Sequence, residues 1–340
     1  MMNSTRQNTL LMLVLFIFSC SPEKDNDFSA ILAFLATNSA GTTATTTRTY
    51  NCADDGTTWT TRSAVEASNW NTITYGNGLF VAVSRGTNRV MTSSDGITWT
   101  ARNGAAANDW SSVTYGNGLF VAVSSNGSNR VMTSPDGVTW TARTGVPTYS
   151  WKGVTYGNGL FVATSTSDTN RVMTSPDGIT WTERTGAPAN NWYSVTYGNG
   201  LFVAVASTGS DRVMTSTNGI TWTARSASEQ NSWYSVTYGN GLFVAVAGDG
   251  TNQVMTSTNG INWTGRSATH AYTWLNVTYG DGLFVAVSLD GTSQQIMTST
   301  DGITWTARNT GGSLSWSQVA YGNGLFVAVA PGNIITSNCN

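Results

Sequence analysis

The stretch "WSSVTYGNGLFVAVSSNGSNRVMTSPDGVTWTAR" (110–143) holds four short runs rich in Val, Thr, Phe, Tyr and Trp, separated by turn-forming residues. "WSSVTYG" and "LFVAVS" meet at Asn117 and Gly118, and Asn-Gly supplies the positive φ that a two-residue hairpin needs. "RVMTS" and "TWTAR" meet at "PDGV", again with a glycine in the turn. No helical apolar period runs through the stretch. "LFVAV" is a continuous apolar run of the kind found in strands buried on both faces. The pattern predicts strands over 110–116, 119–124, 130–134 and 139–143.

The unit recurs. Tryptophan opens it at 70, 110, 151, 192, 233, 274 and 316, and a second series stands at 59, 99, 140, 181, 222, 263 and 305. A period near 41 residues with several short strands per unit indicates a propeller. The expectation is an all-β, seven-bladed β-propeller of four-stranded antiparallel blades over residues 50–340. The last copy stops after three strands, at "NIITSNCN" (333–340), and the missing fourth stands at the other end as "DDGTTWTTR" (54–62). The amino-terminal strand is therefore expected to complete the carboxy-terminal blade and close the ring, which removes two open sheet edges. Cys52 and Cys339 flank that joint and are expected to form a disulfide in an exported chain.

The start of the chain carries an export signal. Arg6 precedes the nine-residue apolar run "LLMLVLFIF" (10–18), well short of the ~20 residues a spanning helix needs. "IFSC" (17–20) follows, and this resembles the lipobox of bacterial lipoproteins. The resemblance implies a signal peptide over 1–19, lipidation of Cys20 and a location at the outer membrane, facing the periplasm or the cell surface. Residues 20–49, with "TNSAGTTATTTRT" (37–49), read as a Ser/Thr-rich tether. The membrane enters only through this anchor.

Composition narrows the partners. Net charge is −2, charged residues are 10% of the chain, and the lysines are Lys24 and Lys152 alone. That balance offers no electrostatic footprint for nucleic acid. One histidine, His270, rules out histidine-rich metal centres by count.

"SSDGITW" (93–99), "SPDGITW" (175–181) and "STDGITW" (299–305) resemble the Asp-box, or BNR, repeats of sialidase-like propellers, with the Gly directly after the Asp making the motif one residue shorter. The resemblance assigns a structural role, a short side chain holding turn amides beside a buried Trp, to Asp55, Asp95, Asp136, Asp177, Asn218, Asn259 and Asp301. It does not carry the catalytic set across. Glu66, Glu183 and Glu229 are scattered over different units, so the paired acids of glycoside hydrolysis are not in evidence and no enzyme is expected. No cofactor is implied. Calcium would fall to the loop acids Asp168, Asp211, Asp249 and Asp290, which form no Asp-x-Asp cluster.

Departures from the repeat mark the candidate site. The residue after the opening Trp is Asn71, Ser111, Lys152, Tyr193, Tyr234, Leu275 and Ser317 in turn. Lys152, Tyr193, Tyr234 and Leu275 thus fall on consecutive blades near the channel mouth, with Tyr149, Glu229, His270 and Tyr272 in adjoining connections. The two variable connections of each unit lie on one face, where a partner would bind. The function expected is non-catalytic binding of a protein or glycan, as an adhesin or interaction scaffold, by a monomeric chain. The alternatives are a lectin with repeated sites between blades and, less favoured, a sialidase-like glycoside hydrolase.

Overall fold

The structure is a computed structural model, and it describes residues 58–337 except 168–170 and 291–292. Cys20, Cys52, Cys339, Asp55, Asp168 and the segments 1–19 and 20–49 lie outside the described residues.

The described residues form strands and turns, with no helix among them. A representative sheet runs Trp151–Gly157, Leu160–Ser165, Val172–Ser175, Thr182–Arg184, each antiparallel to the next. Repeated four-stranded antiparallel blades of this kind make the molecule a β-propeller. Burial falls off outward for a reason legible in the residues: "LFVATS" and "VMTS" are buried along almost their whole length, while "TER" at the edge is mostly exposed. The core lies between blades. Val121, Val123 and Val131 of one blade pack on Trp151, Phe161, Met173 and Trp181 of the next.

Three details differ from the sequence reading. In five blades the fourth strand is three residues long rather than five, while Trp59–Ser63 keeps all five. From Trp99 to Trp305 the second-series Trp belongs to the turn, its indole N–H donating to the turn glycine's carbonyl, as Trp181 does to Gly178 at 3.0 Å. Next, the variable connections around the first and second blades are not loops. Leu79–Ser93 and Thr100–Gly116 are long strands that pair through them, with Arg85 opposite Asp109 and Arg89 opposite Asn103. The six-residue connection "SRGTNR" crosses there with two register shifts, at residues 86 and 88. Finally, the innermost strand is bulged. Trp110 pairs with Ser124 but Ser112 pairs with Val123, leaving Ser111 extra, and the same shift follows Trp70, Trp151, Trp192, Trp233 and Trp274.

The amino-terminal strand Trp59–Ser63 pairs antiparallel with Asn333–Ser337, with Trp59 opposite Ser337, in one sheet with Leu325–Ala330 and Gln318–Gly322. Neighbouring blades also meet through a close approach that only glycine permits. A Cβ on Gly76 would fall inside the Tyr115 ring, one on Gly116 inside Tyr156, and so on through Gly157, Gly198, Gly239 and Gly280 to Gly322, which meets Tyr75 of the first blade.

Candidate functional site

The innermost strands line a central cavity of about 680 Å³. The bulge explains its wall. An extra residue in one strand re-aims side chains locally, and the extra residues are the ones that break the repeat: Asn71, Ser111, Lys152, Tyr193, Tyr234 and Leu275 all line the cavity. The residue one further along ties the blades together. Ser112, Ser194 and Ser235 Oγ accept from the backbone N–H of Val154, Val236 and Val277 on the following blade, each at 3.2 Å. Asn276 does the same for Val319 at 3.1 Å and Gln318 for Ile73 at 2.8 Å.

At the mouth, the Tyr193 and Tyr234 rings meet edge to face, 4.9 Å apart at 73°. The Lys152 ammonium lies 6.0 Å from the Tyr193 ring centre. Burial pushes the Lys152 pKa down, the Arg85 charge adds to that, and Asp109 partly opposes it. Burial pushes the Tyr193 phenol up, helped by Tyr234. Gly248 makes room for Tyr234: a Cβ there would stand 2.5 Å from the ring edge.

Arg85, Leu289, Pro331, Asn69 and Ser315 complete the rim from the variable connections. None was marked in the sequence. Arg85 is carried there by the long ribbon, and its Nη2 donates to Asn71 Oδ1 at 3.3 Å.

The other four candidates do not line the cavity. Tyr149 packs on Trp151 at 5.7 Å, and its hydroxyl donates to Glu183 at 3.3 Å. Tyr272 lies between Trp274, at 5.9 Å, and the His270 ring, which stacks on it at 4.9 Å. Glu229 accepts from the Asn252 side chain, from the Asn252 N–H at 3.2 Å and from Asn231 at 3.3 Å. These residues brace connections against their own blades. The loop acids do likewise: Asp249 accepts from Ser232 N–H and Oγ at 2.5 and 2.7 Å, and Asp290 accepts from Thr273 N–H.

The regular positions have local partners. Six box side chains, from Asp95 to Asp301, each accept two turn amides through one oxygen at 2.7–3.0 Å. The fourth-strand arginines, Arg62 through Arg308, donate Nε to a threonine on the third strand at 2.8–3.3 Å. The opening tryptophans are at most 1% exposed, so they present no face for stacking a sugar.

No protein-family model matches the chain, and no curated protein matches it. Solved structures do. The streptogramin B lyase structure is similar over 83% of this chain and 98% of that one, at 13% identity and a TM-score of 0.73. YCF48 bound to D1 peptide aligns over 83% of this chain and 97% of its own, at 14% identity and a TM-score of 0.65. The WD40 β-propeller domain of Doa1 aligns over 84% and 98%, at 10% identity and a TM-score of 0.64. At such identities the likeness establishes the propeller fold and leaves the activity open.

Proposed function

We propose that this chain is an exported, lipid-anchored seven-bladed propeller that works as a non-catalytic binding scaffold, holding a protein ligand at the mouth of its central cavity. One observation carries this reading: four consecutive blades place Lys152, Tyr193, Tyr234 and Leu275, the residues that depart most from the repeat, on one cavity wall. A solved neighbour of the same fold is described with a bound peptide. The seven-blade count and closure of the ring are supported by the Trp59–Ser63 pairing and by the tyrosine-on-glycine contacts that return from Gly322 to Tyr75. Acylation of Cys20, a Cys52–Cys339 disulfide, an outer-membrane location and an adhesive role are readings of the sequence that fit this picture.

The test uses the full chain in detergent. Partners cross-linked from envelope or host-cell extracts are identified and titrated against purified protein. Binding lost in Tyr193→Ala plus Tyr234→Ala, and kept in Ile220→Thr at the exposed box-turn end, supports the reading. Binding indifferent to the tyrosine pair overturns it, and turnover of a fluorogenic sialoside overturns its non-catalytic part. Loss of an alkyne fatty-acid label in Cys20→Ala checks the anchor, and a non-reduced digest checks the disulfide.

A further inference from the structure

The cavity mouth has an unbalanced charge. Of the residues that line it, the charged ones are Arg85 and Lys152, and no carboxylate lines it with them. The Lys152 ammonium is half-buried and has no hydrogen bond or ion pair among the described residues; it faces the Tyr193 ring. Asp109 offsets only part of what burial and Arg85 impose on Lys152, and a partly desolvated cation so left is stabilised when a ligand brings the opposite charge. Beside it, neither the Tyr193 nor the Tyr234 hydroxyl has a hydrogen-bond partner among the described residues, so two phenol donors stand near two cations. The rim also carries apolar side chains, Leu275, Pro331 and Leu289, the last 38% exposed, among the polar Asn69, Asn71 and Ser315.

Resting on the scaffold reading, we infer that the mouth receives a carboxylate from an extended peptide segment of the protein ligand, held between Lys152 and Arg85, with a neighbouring apolar side chain against Tyr193, Tyr234 and Leu275. The volume, about 680 Å³, lies within the ~300–1,000 Å³ typical of enclosed small-ligand sites, so it admits a short segment and not a folded domain. Two cations suit one carboxylate and fall short of a phosphate backbone. A sugar is disfavoured by the aromatic geometry: the tyrosines lie edge to face, and Lys152 sits by the Tyr193 ring, so no open parallel platform is offered. Arg85 is exposed at the rim, and a guanidinium–carboxylate pair there supplies orientation as well as attraction.

The probe is a set of fluorescein-labelled, C-terminally amidated hexapeptides in which one position at a time is fixed as Asp, Asn, Lys, Leu or Phe, read by anisotropy on the full chain in detergent. Asp should be preferred over Asn by tenfold or more at one position, with Leu or Phe preferred beside it. That preference should shrink to about twofold in Lys152→Gln plus Arg85→Gln, while Lys152→Arg retains most of it and an unchanged thermal melt shows the variants fold. Equal binding of the Asp and Asn sets, a preference for Lys, or no peptide bound above background overturns the inference. Sialyllactose bound through the same two cations, in place of peptide, also overturns it. A protein partner that depends on Tyr193 and Tyr234 but not on Lys152 and Arg85 would sink the carboxylate assignment and leave the scaffold reading standing.

Discussion

The two ends of a blade are built by different means. At the box-turn end of the third repeat unit, Asp177 accepts from Ser175 Oγ, Ile179 N–H and Thr180 N–H, each at 2.8 Å, and Trp181 closes on Gly178. Every bond stays inside seven consecutive residues. At the loop end, Arg171 donates to Thr166 O at 3.0 Å and reaches across to Asn190 O at 2.7 Å. Gln253 makes the equivalent reach to Tyr272 O at 2.7 Å, and a second tie runs from Asn108 to Asn129 O at 2.8 Å, from Asn190 to Asp211 O, and from Asn231 to Asn252 O at 2.8 Å. Local bonds can be copied from unit to unit by copying one heptapeptide. Bonds between two connections need a matched pair, and the donor changes between blades, Arg171 in one and Gln253 in another. Variation at the loop end is thus compatible with rigidity, which a binding face needs.

One bond at the loop end recurs more widely than these, and breaking it should have the largest effect. The opening Trp donates Nε1 to the carbonyl four residues earlier in six blades, as Trp192 does to Pro188 at 2.8 Å. Trp192 is fully buried. Trp192→Ala removes a core anchor and a loop tie together, and should cost about 3–5 kcal/mol in a urea titration. A loss below ~1 kcal/mol would mean that blades are held chiefly by something other than this layer. Next comes the contact between blades. Gly198→Ala puts a methyl into the Tyr238 ring and should cost about 1–3 kcal/mol, read as a lower urea midpoint with an unchanged slope. Ala at Gly312, which has open space around it and an ordinary φ, is the control and should be near neutral.

What the sequence could reveal follows the same division. The two Trp series and the box turns were legible because their partners are local and periodic. The positions of Lys152, Tyr193, Tyr234 and Leu275 were legible as departures from that period. Their aim into the cavity was not, since it comes from a bulge seen only in the register, at Trp151/Gly153 and its equivalents. Arg85 was illegible for a related reason. Its place depends on pairing with Asp109, 24 positions on, across connections whose composition reads as loop. Tyr149, Glu229, His270 and Tyr272 looked like part of one patch because they are aromatic or charged and lie in variable connections. Each has a nearer partner, Trp151, Asn252 or Trp274, and nothing in their order along the chain indicates that.

The matched pairs at the loop end offer an intermediate test. Asn231 is 6% exposed and spans the connections between Glu229 and Asn252. Asn231→Ala leaves the Asn252 carbonyl without that donor and should cost about 1–2 kcal/mol. Hydrogen exchange should rise at 248–253 and stay unchanged at the box turn 257–263. A rise spread evenly over the blade would show that its ends are coupled and not independently built.

The smallest effect belongs to the box-turn charge, and it sharpens the comparison most. Asn218 and Asn259 accept the same two amides, at 2.9–3.0 Å, that Asp177 accepts at 2.8 Å. Asp177→Asn should therefore keep the turn and change stability at neutral pH by no more than ~0.5 kcal/mol. The variant should differ in acid. The Thr180 amide holds the Asp177 carboxyl below its ordinary pKa, with partial burial opposing and the Ile179 and Ser175 bonds assisting. Asp136 is lowered likewise, first by the Thr139 amide. A carboxyl depressed by folding stabilises the native state above its unfolded pKa, and the contribution is lost as pH falls through the folded value. Wild type should thus lose stability on acidification more steeply than a variant with Asp136 and Asp177 both changed to Asn, so that their urea midpoints, close at neutral pH, separate below about pH 4 in the variant's favour. If the two profiles run parallel through that range, the turns depend on geometry alone, and Asp and Asn are interchangeable there at every pH.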